Sequence, residues 1–291
     1  MEITILGSGT SHGIPVIACG CDVCRSSDSR DKRNRCGAYI TSDSGLGILV
    51  DIPPEFRLQA IKFNVKKVDA VLLTHSHADH LHGIDDLRAF TSDRPDDVNP
   101  VSAQAPIPIH TNTRTAEDIK IRFSYMFRHS AEGGGHANIT PVPCEKTFML
   151  GGLKITPVPL THGHTEATGW LVSEKKEDGT SLSAAYLTDC SFIRDESFEI
   201  IKLNSGILRH LVIDGLRIKP HSTHFSFAQA LEAADRIGAE HTWLTHISHA
   251  SSHQEIITYI EENISKYRNL SRIVKNGGSV SAAYDGLVIR T

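Results

Sequence analysis

The sequence has no long hydrophobic run and no large excess of either charge. No stretch approaches the roughly 20 consecutive apolar residues that a membrane-spanning helix needs, so we expect no membrane segment. Residues 1–6 lack the basic start and long apolar region of a signal peptide, and we therefore expect a cytoplasmic protein. The formal net charge of −4 gives no basic field of the kind typical of nucleic-acid-binding proteins. The residue present in excess is histidine, with 17 copies.

Length and composition indicate a globular protein with a substantial core. The 291 residues suffice for one large α/β domain or two small ones, and 22% charged with 40% hydrophobic residues is ordinary for a soluble fold. Short apolar runs, which predict strands, alternate with glycine turns and a few helical stretches. Strands followed by histidine-containing loops recur in both halves, which favours two β-sheets packed face to face with helices outside.

Some local predictions are specific enough to compare with a structure. Residues 79–90 are predicted to be helical, 241–245 to form a strand, and 273–288 to supply the last strands. Two segments rich in turn-forming residues, 91–105 and 130–138, are predicted to be loops.

A cluster of metal-binding side chains follows the apolar run 71–73. Four of them fall within six residues: His75, His77, Asp79 and His80. Imidazole and carboxylate both bind cations at neutral pH. In an extended segment, residues two apart point the same way, so His75 and His77 can reach one ion. If the chain then turns into a helix, Asp79 and His80 are directed to a second ion, and paired metals predict phosphoryl or hydrolytic chemistry.

Three further metal-binding side chains each follow a predicted apolar strand: His162, Asp189 and His246. Loops that leave the same end of neighbouring strands converge in α/β folds, so these side chains are expected to meet the 75–80 cluster. A single loop histidine is more often hydrogen-bonded to backbone than bound to a metal. The repeated placement at strand ends favours one shared site.

The cysteines predict a second kind of metal site. Cys19, Cys21 and Cys24 lie within six residues, and in a reducing compartment this crowding indicates a metal rather than disulfides. Three thiolates leave a tetrahedral zinc ion one ligand short. The alternative, three small buried residues in a loop, is disfavoured by the C-x-C-x-x-C spacing.

These motifs resemble those of metallo-β-lactamase-fold hydrolases over nearly the whole chain. The HxHxDH block at 75–80 is followed by Pro-Leu-Thr-His at 159–162, Tyr-Leu-Thr-Asp at 186–189 and Trp-Leu-Thr-His-Ile-Ser-His at 243–249. The resemblance implies an α/β fold, namely a four-layer αβ/βα sandwich of two mixed β-sheets with outer helices. It also implies a single domain over residues 1–291. The stretch at about 91–138 departs from a compact chain of this type and is predicted to be an insertion or cap.

The same resemblance assigns the ligands of two divalent ions in the active site. One ion would be held by His75, His77, His162 and Asp189, and the other by Asp79, His80, His246 and the bridging Asp189. Manganese, zinc and iron all accept such nitrogen- and oxygen-rich ligands. A hydroxide between two cations about 3.5–4 Å apart would be the nucleophile.

The cysteine cluster narrows the resemblance to the PhnP-type phosphodiesterases of the carbon–phosphorus lyase pathway. These enzymes carry the same cluster, and their fourth zinc ligand is the histidine three residues after the last catalytic one. The resemblance therefore implies a structural zinc held by Cys19, Cys21, Cys24 and His249. The implied reaction is hydrolysis of a small phosphodiester, such as a cyclic ribose phosphate or a nucleotide.

Resemblance to PhnP-like and ribonuclease Z-like enzymes also places a proton-donating histidine before the last long helix. His224 matches this position better, counting back from the Gln-Ala pair at 229–230, and His221 is the alternative. An imidazole near the phosphate can donate a proton to the leaving group at neutral pH. Besides His224, Asp79 is predicted to have a catalytic role.

Substrate contacts are predicted at His164, Arg114 and Arg122. The two arginines belong to a basic stretch that extends to Arg128 and contains several aromatic residues. Such a stretch is either an amphipathic helix with a solvated basic face or a cap that grips a phosphate ester or nucleotide.

Two other functions stay open at this point. A ribonuclease Z-like RNA-processing endonuclease would have a long basic arm for RNA, and the net charge of −4 disfavours it. A non-catalytic metal- or nucleotide-binding module would have a degenerate site, whereas every expected ligand is present. The expected partner is a small phosphodiester or nucleotide, with RNA less favoured, no membrane, and a homodimer left open.

Overall fold

The computed structural model describes residues 1–91, 105–127 and 136–291. Arg128 and most of the two predicted loops at 91–105 and 130–138 lie outside the described residues. Among the residues that are described, none of the helices has the length and apolar character needed to cross a membrane.

The first sheet contains seven strands of the described chain, in the order β14-β1-β2-β3-β4-β5-β6. Their bounds are β1 Glu2–Gly7, β2 Gly37–Thr41, β3 Gly47–Val50, β4 Ala70–Leu72, β5 Ile107–Thr111, β6 Ile139–Pro143 and β14 Val288–Arg290. The pairings are antiparallel from β14 to β3 and parallel from β3 to β6.

The second sheet repeats this plan, in the order β13-β12-β11-β10-β9-β8-β7. Its strands are β7 Phe148–Leu150, β8 Leu153–His162, β9 Thr165–Lys175, β10 Ser181–Leu187, β11 Ile207–Asp214, β12 His241–Thr245 and β13 Ser279–Ala282. The pairings are antiparallel from β7 to β10 and parallel from β10 to β13. Each sheet is therefore mixed, as the sequence predicts.

The described chain also forms helices, most of which contact strands of the two sheets. They are α1 Asp22–Arg25, α2 Phe56–Lys62, α3 Ala78–Leu81, α4 Thr113–Arg122, α5 Asp195–Asn204, α6 Phe227–Ile237, α7 His253–Asn263 and α8 Arg268–Lys275. Helices α6 and α7 each begin with a capping box, at Ser226 with Gln229 and at Ser252 with Glu255. The cap of α6 fixes the start of that helix, directly after the segment that carries His221 and His224.

Alternating side chains along the strands build the layers of the core. In β1, Ile5 faces the other sheet whereas Leu6 packs under the helices of its own sheet. In β11, Val212 faces the first sheet, and Leu211 and Ile213 pack against α6 and its neighbours. This alternation is the consequence of the two-residue period of a strand. The predicted four-layer αβ/βα sandwich is confirmed.

The helix predicted at 79–90 is broken after α3. Residues 84–90 continue as a separate 3-10 helix because the backbone of Ile52 intervenes. Its N–H donates to His80 O, and its carbonyl accepts from Gly83 N. A Cβ on Gly83 would lie 2.1 Å from Pro53 O, so only glycine allows this close approach.

The prediction that strands begin at residue 273 is wrong, because Ile273 lies in α8. Leu270 and Ile273 are spaced by three residues and turn the same side of that helix inward. The final strands are β13 and β14 instead. The described part of the predicted 91–138 insertion also differs from a cap, because β5 lies inside the first sheet and α4 contacts β5 and β6.

Candidate functional site

Strand ends bring the seven predicted active-site ligands together. The 75–80 cluster follows β4, His162 ends β8, Asp189 follows β10, and His246 follows β12. Among the seven, five side chains are at most 4% exposed: His75, His80, His162, Asp189 and His246. His77 is exposed, and Asp79 is partly exposed. The buried donors therefore line one side of a site that His77 and Asp79 open to the surface.

Three non-glycine residues of the site have a left-handed backbone. The φ angles are 62° at Asp51, 55° at Asp189 and 58° at His246. Each residue comes one or two positions after the end of a strand, β3, β10 and β12 respectively. Non-glycine residues avoid this region on steric grounds, and where they adopt it they cluster at functional sites.

The first ligand set consists of His75, His77 and His162. His77 Nδ1 lies 3.3 Å from His162 Nε2. Two ligands at about 2.0–2.1 Å from a tetrahedral ion would be about 3.3 Å apart, so this separation fits a shared metal. His75 Nε2 is buried without a hydrogen-bond partner among the described residues, as expected of a nitrogen that awaits a cation.

The second ligand set consists of Asp79, His80 and His246, and Asp189 lies between the two sets. His80 Nε2 is 3.2 Å from Asp79 Oδ2 and 3.0 Å from Asp189 Oδ2. Asp189 Oδ1 is 3.5 Å from His246 Nε2 and 3.8 Å from both His75 Nε2 and His162 Nε2. The carboxylate of Asp189 can therefore contact an ion in either set.

Contacts behind the histidines direct their free nitrogens to the centre. His80 Nδ1 donates to Asp51 Oδ2 at 2.7 Å, and His162 Nδ1 donates to Thr223 O at 2.8 Å. Asp51 also accepts from the N–H and hydroxyl of Thr74. Such partners fix the tautomer and ring orientation of a metal ligand. The sequence prediction missed Asp51, although it also follows a buried strand.

The electrostatics of the site also suit cations. Burial lowers the pKa of His75 well below its usual value and lowers that of His162, so both rings are neutral and able to bind a metal. Burial opposes a charge on His80 as well, yet Asp189, Asp79 and Asp51 raise its pKa well above the usual value. These three carboxylates place negative charge where bound metals would balance it. The residues therefore fit a two-metal centre.

His224 is beside this centre and is held by a buried aspartate. Its Nδ1 donates to Asp214 Oδ2 at 2.8 Å, and its ring centroid is 4.5 Å from that of His246 and 4.8 Å from that of His162. Asp214 ends β11, so a strand-end signal existed for it that the sequence prediction did not use. His221 is exposed, with its ring 5.4 Å from that of His224. Of the two predicted alternatives, His224 is the one beside the ligands.

The predicted cysteine cluster converges on one histidine nitrogen. His249 Nδ1 lies 3.4, 3.5 and 3.6 Å from the Sγ atoms of Cys19, Cys21 and Cys24. Zinc–sulfur and zinc–nitrogen bonds of about 2.3 and 2.0–2.1 Å in a tetrahedron place S and N about 3.6 Å apart. Cys21 caps α1, and the Cys24 N–H together with His249 lowers the pKa of its thiol to about 6. The set therefore offers a thiolate and fits zinc.

A buried arginine connects the cysteine loop to the segment 246–251. The Arg33 guanidinium is fully buried, pairs with Asp31 at 3.0 Å and donates to Ser248 O and Ser251 O. These carbonyls flank His249, so Arg33 holds the segment that carries this candidate zinc ligand and that begins at His246. Its position in the fold, rather than any motif, gives it this role.

The predicted substrate residues do not line the cavity that opens onto the two ligand sets. Arg122 donates to Ser76 O, and Asp118 accepts from the Ser76 hydroxyl, so α4 holds the 75–77 loop. Arg114 lines a small cleft of about 100 Å³ beside this loop. His164 is exposed and lines neither this cleft nor the cavity that opens onto the ligand sets.

The main cavity, of about 470 Å³, opens onto the two ligand sets. The described residues that line it include His77, Asp79, His162, Asp189, His224 and His246. Further lining residues come from the loop after β1, the segment between β11 and α6, and the turn after His246. The site is therefore a pocket of small-molecule size that is lined by candidate metal ligands.

Known proteins share this fold. A family model described as the beta-lactamase superfamily domain matches residues 47–247. A crystal structure described as a new diphosphatase from the PhnP family is 35% identical, with a TM-score of 0.76 over 100% of this chain and 97% of that one. Human tRNase Z, short form, is 18% identical, with a TM-score of 0.63 over 100% and 99% of the two chains.

A curated relative, an octanoyltransferase from Porphyromonas gingivalis, is 34% identical over 282 residues. The match covers 96% of this chain and 52% of that protein, so the chain spans about half the length of this relative. The fold and the family model together show that the chain belongs to the metallo-β-lactamase superfamily. Within the superfamily the chain is PhnP-like, as the cysteine cluster predicts.

Proposed function

We propose that the protein is a metal-dependent hydrolase of small phosphodiesters that uses two adjacent divalent ions. The observation that carries the proposal is the position of Asp189, whose oxygens lie within 3.8 Å of ring nitrogens from both ligand sets. A shared carboxylate lets two cations lie about 3.5–4 Å apart. Bound ions would supply Lewis acidity at the phosphate oxygens and activate the attacking water.

The ligand roles follow the two sets described above. His75, His77 and His162 would hold one ion, Asp79, His80 and His246 the other, and Asp189 would bridge them. The nitrogen and oxygen donors admit manganese, zinc or iron, whereas the thiolates of the cysteine cluster favour a structural zinc. Asp79 contributes to catalysis as a ligand.

His224 is proposed to protonate the leaving oxygen. Asp214 accepts a hydrogen bond from Nδ1–H of His224, so Nε2 is the nitrogen that is available to the substrate and that would carry the donated proton. A positioned acid of this kind contributes roughly 10²–10⁴-fold to the rate. The cavity of about 470 Å³ suits a small ester, and a relative of the PhnP family described as a diphosphatase supports chemistry at phosphorus–oxygen bonds.

The test is hydrolysis of bis-p-nitrophenyl phosphate by protein loaded with manganese or with zinc. His77→Ala removes a ligand and should abolish turnover together with one equivalent of bound metal. His241→Ala is the matched control, because His241 begins β12 at the end opposite His246 and its Nδ1 contacts Ser279 Oγ. His224→Ala should lower kcat at least a hundredfold with unaltered metal content.

The outcomes separate the functions that the sequence leaves open. A metal-loaded protein that is inert on this ester, on cyclic phosphates and on short RNA would contradict the proposal and favour a binding module. Cleavage of RNA precursors without hydrolysis of small esters would favour the ribonuclease Z-like alternative. An unaltered rate in His224→Ala would remove the acid role from this residue.

A further inference from the structure

The main cavity has polar lining beyond the proposed metal ligands and His224. Arg217 and His221 line it from the segment that joins β11 to α6, and Ser11 and His12 line it from the loop after β1. None of these four residues is needed to hold the metals. Their donors are therefore available to a part of the substrate other than the reacting phosphate.

Arg217 is the only arginine or lysine among the described residues that line this cavity. Its Nε donates to Lys219 O at 3.2 Å, and one terminal nitrogen donates to Pro220 O at 3.4 Å. These bonds hold the side chain along the segment that leads to His221. A guanidinium carries five N–H donors, so the N–H groups of Arg217 that do not bond these two carbonyls stay available for an anion.

His221 is held in one tautomer by its own turn. Its Nδ1 accepts from the backbone N–H of Thr223 at 3.3 Å and lies 3.1 Å from the Thr223 hydroxyl. With Nδ1 serving as an acceptor, the proton of the neutral ring is on Nε2. Burial, His224 and Arg217 lower the pKa of His221, which favours this neutral form. His221 therefore offers the cavity an N–H donor.

Acceptors that would compete with an anion are scarce in the cavity. Among the described lining residues the only carboxylates are those of Asp79 and Asp189, and both are proposed metal ligands. Arg217 therefore faces the cavity without a carboxylate partner assigned to it. A substrate group with negative charge is the complement to this lining.

We propose that Arg217 and His221 form a second anion subsite, which binds a phosphate or carboxylate carried by the substrate in addition to the phosphate that is hydrolysed. The subsite rests on the proposed function, because it concerns the substrate of the same centre. It determines specificity through binding and takes no part in bond cleavage. The natural substrate would then be a small diester or diphosphate with at least two anionic groups.

The experiment compares p-nitrophenyl alkyl phosphates whose short alkyl chains end in a hydroxyl, a carboxylate or a phosphate. Hydrogen bonds to a charged group are expected to raise kcat/KM roughly tenfold to a hundredfold for the anionic ends, mainly through a lower KM. A larger gain with phosphate than with carboxylate, or the reverse, identifies the bound group. Chain length is varied so that one member of the series can span both subsites.

Variants assign the effect to the two residues. Arg217→Met should remove most of the preference for anionic ends, and Arg217→Lys should retain part of it. His221→Phe should weaken the preference more than His221→Gln, which keeps an N–H donor. Arg209→Met is the matched control, because Arg209 pairs with Glu240 and does not line the cavity, so the preference should persist.

Two results overturn the subsite while the proposed function survives. One is hydrolysis of all the esters with no preference for an anionic end at any chain length. The other is an equal preference in wild type, Arg217→Met and His221→Phe. A wild type that hydrolyses none of the esters would contradict the proposed function and the subsite together.

Discussion

Asp51→Asn is the substitution that most directly tests how the second ligand set is built. Asp51 Oδ1 accepts from Thr74 N at 2.8 Å, and Oδ2 accepts from His80 Nδ1 at 2.7 Å and from the Thr74 hydroxyl. In the asparagine variant the amide oxygen can keep the Thr74 N–H, which turns the amide NH₂ toward His80. His80 Nδ1 must then accept, so its proton moves to Nε2, the nitrogen that faces Asp79 and Asp189.

The expected magnitude follows from the loss of one contact behind a metal ligand. Such losses typically lower metal affinity 10–100-fold, which corresponds to about 1.4–2.7 kcal/mol. The substitution also removes one of the three carboxylates that place negative charge around His80, and this acts in the same direction. Binding of the second ion should weaken. The first ligand set keeps the contact of His162 Nδ1 with Thr223 O and that of His75 Nδ1 with the Thr74 hydroxyl, at 3.0 Å.

The assay is a titration of the metal-free protein with manganese or zinc, read by calorimetry and by hydrolysis of bis-p-nitrophenyl phosphate. Asp285→Asn is the matched control, because Asp285 is a partly buried carboxylate that accepts from Ser8 and Asn34 and touches no histidine ligand. Both variants should lose thermal stability, but only Asp51→Asn should shift the metal midpoint. A folded Asp51→Asn protein with wild-type metal affinity would refute the tautomer argument.

Three further predictions concern stability and metal content. Arg33→Met breaks a buried ion pair and leaves Asp31 without its partner, so urea denaturation should show a free energy of unfolding lower by about 3–5 kcal/mol. A decrease below about 1 kcal/mol would contradict the stabilising role of Arg33. Cys21→Ser should reduce zinc by one ion per chain in elemental analysis, and unchanged stoichiometry would exclude the cysteine site. Burial raises the pKa of Asp285 to about 6, above roughly 3.9 in the unfolded chain. The stabilisation of the folded chain by protonated Asp285 is therefore present below pH 4 and is lost as the pH rises through 6. Urea denaturation of the metal-free protein should therefore show about 1 kcal/mol less decline between pH 5 and pH 7 in Asp285→Asn than in wild type.

The strand-end pattern predicted the ligand candidates because it joins two local facts. A buried strand has a recognisable apolar sequence, and the residue after it carries the chemistry. The break of the helix at Gly83 lay beyond such reasoning, because it depends on Pro53 and Ile52 from another part of the chain. The same holds for Asp214, whose role depends on its distance from His224.

The predicted substrate arginines show a different limit of the sequence. A basic stretch on a helix fits both a solvated face and a substrate contact, and only the packing of α4 against the 75–77 loop places Arg122 on Ser76 O. No sequence motif pointed to Arg217. It became a candidate because the segment between β11 and α6 turns it into the cavity.

By itself the sequence determined the donor types, their spacing, and the class of fold, because these depend on side-chain chemistry and on short-range periodicity. Tertiary structure alone decided which donors meet. Cys19 and His249 are 230 residues apart and lie 3.4 Å from each other, and Asp189 touches both ligand sets only because the two sheets pack face to face. Packing also placed His224, rather than His221, beside the candidate ligands, and it placed Arg33 against the segment that carries His249. Such contacts join segments that are far apart in the sequence.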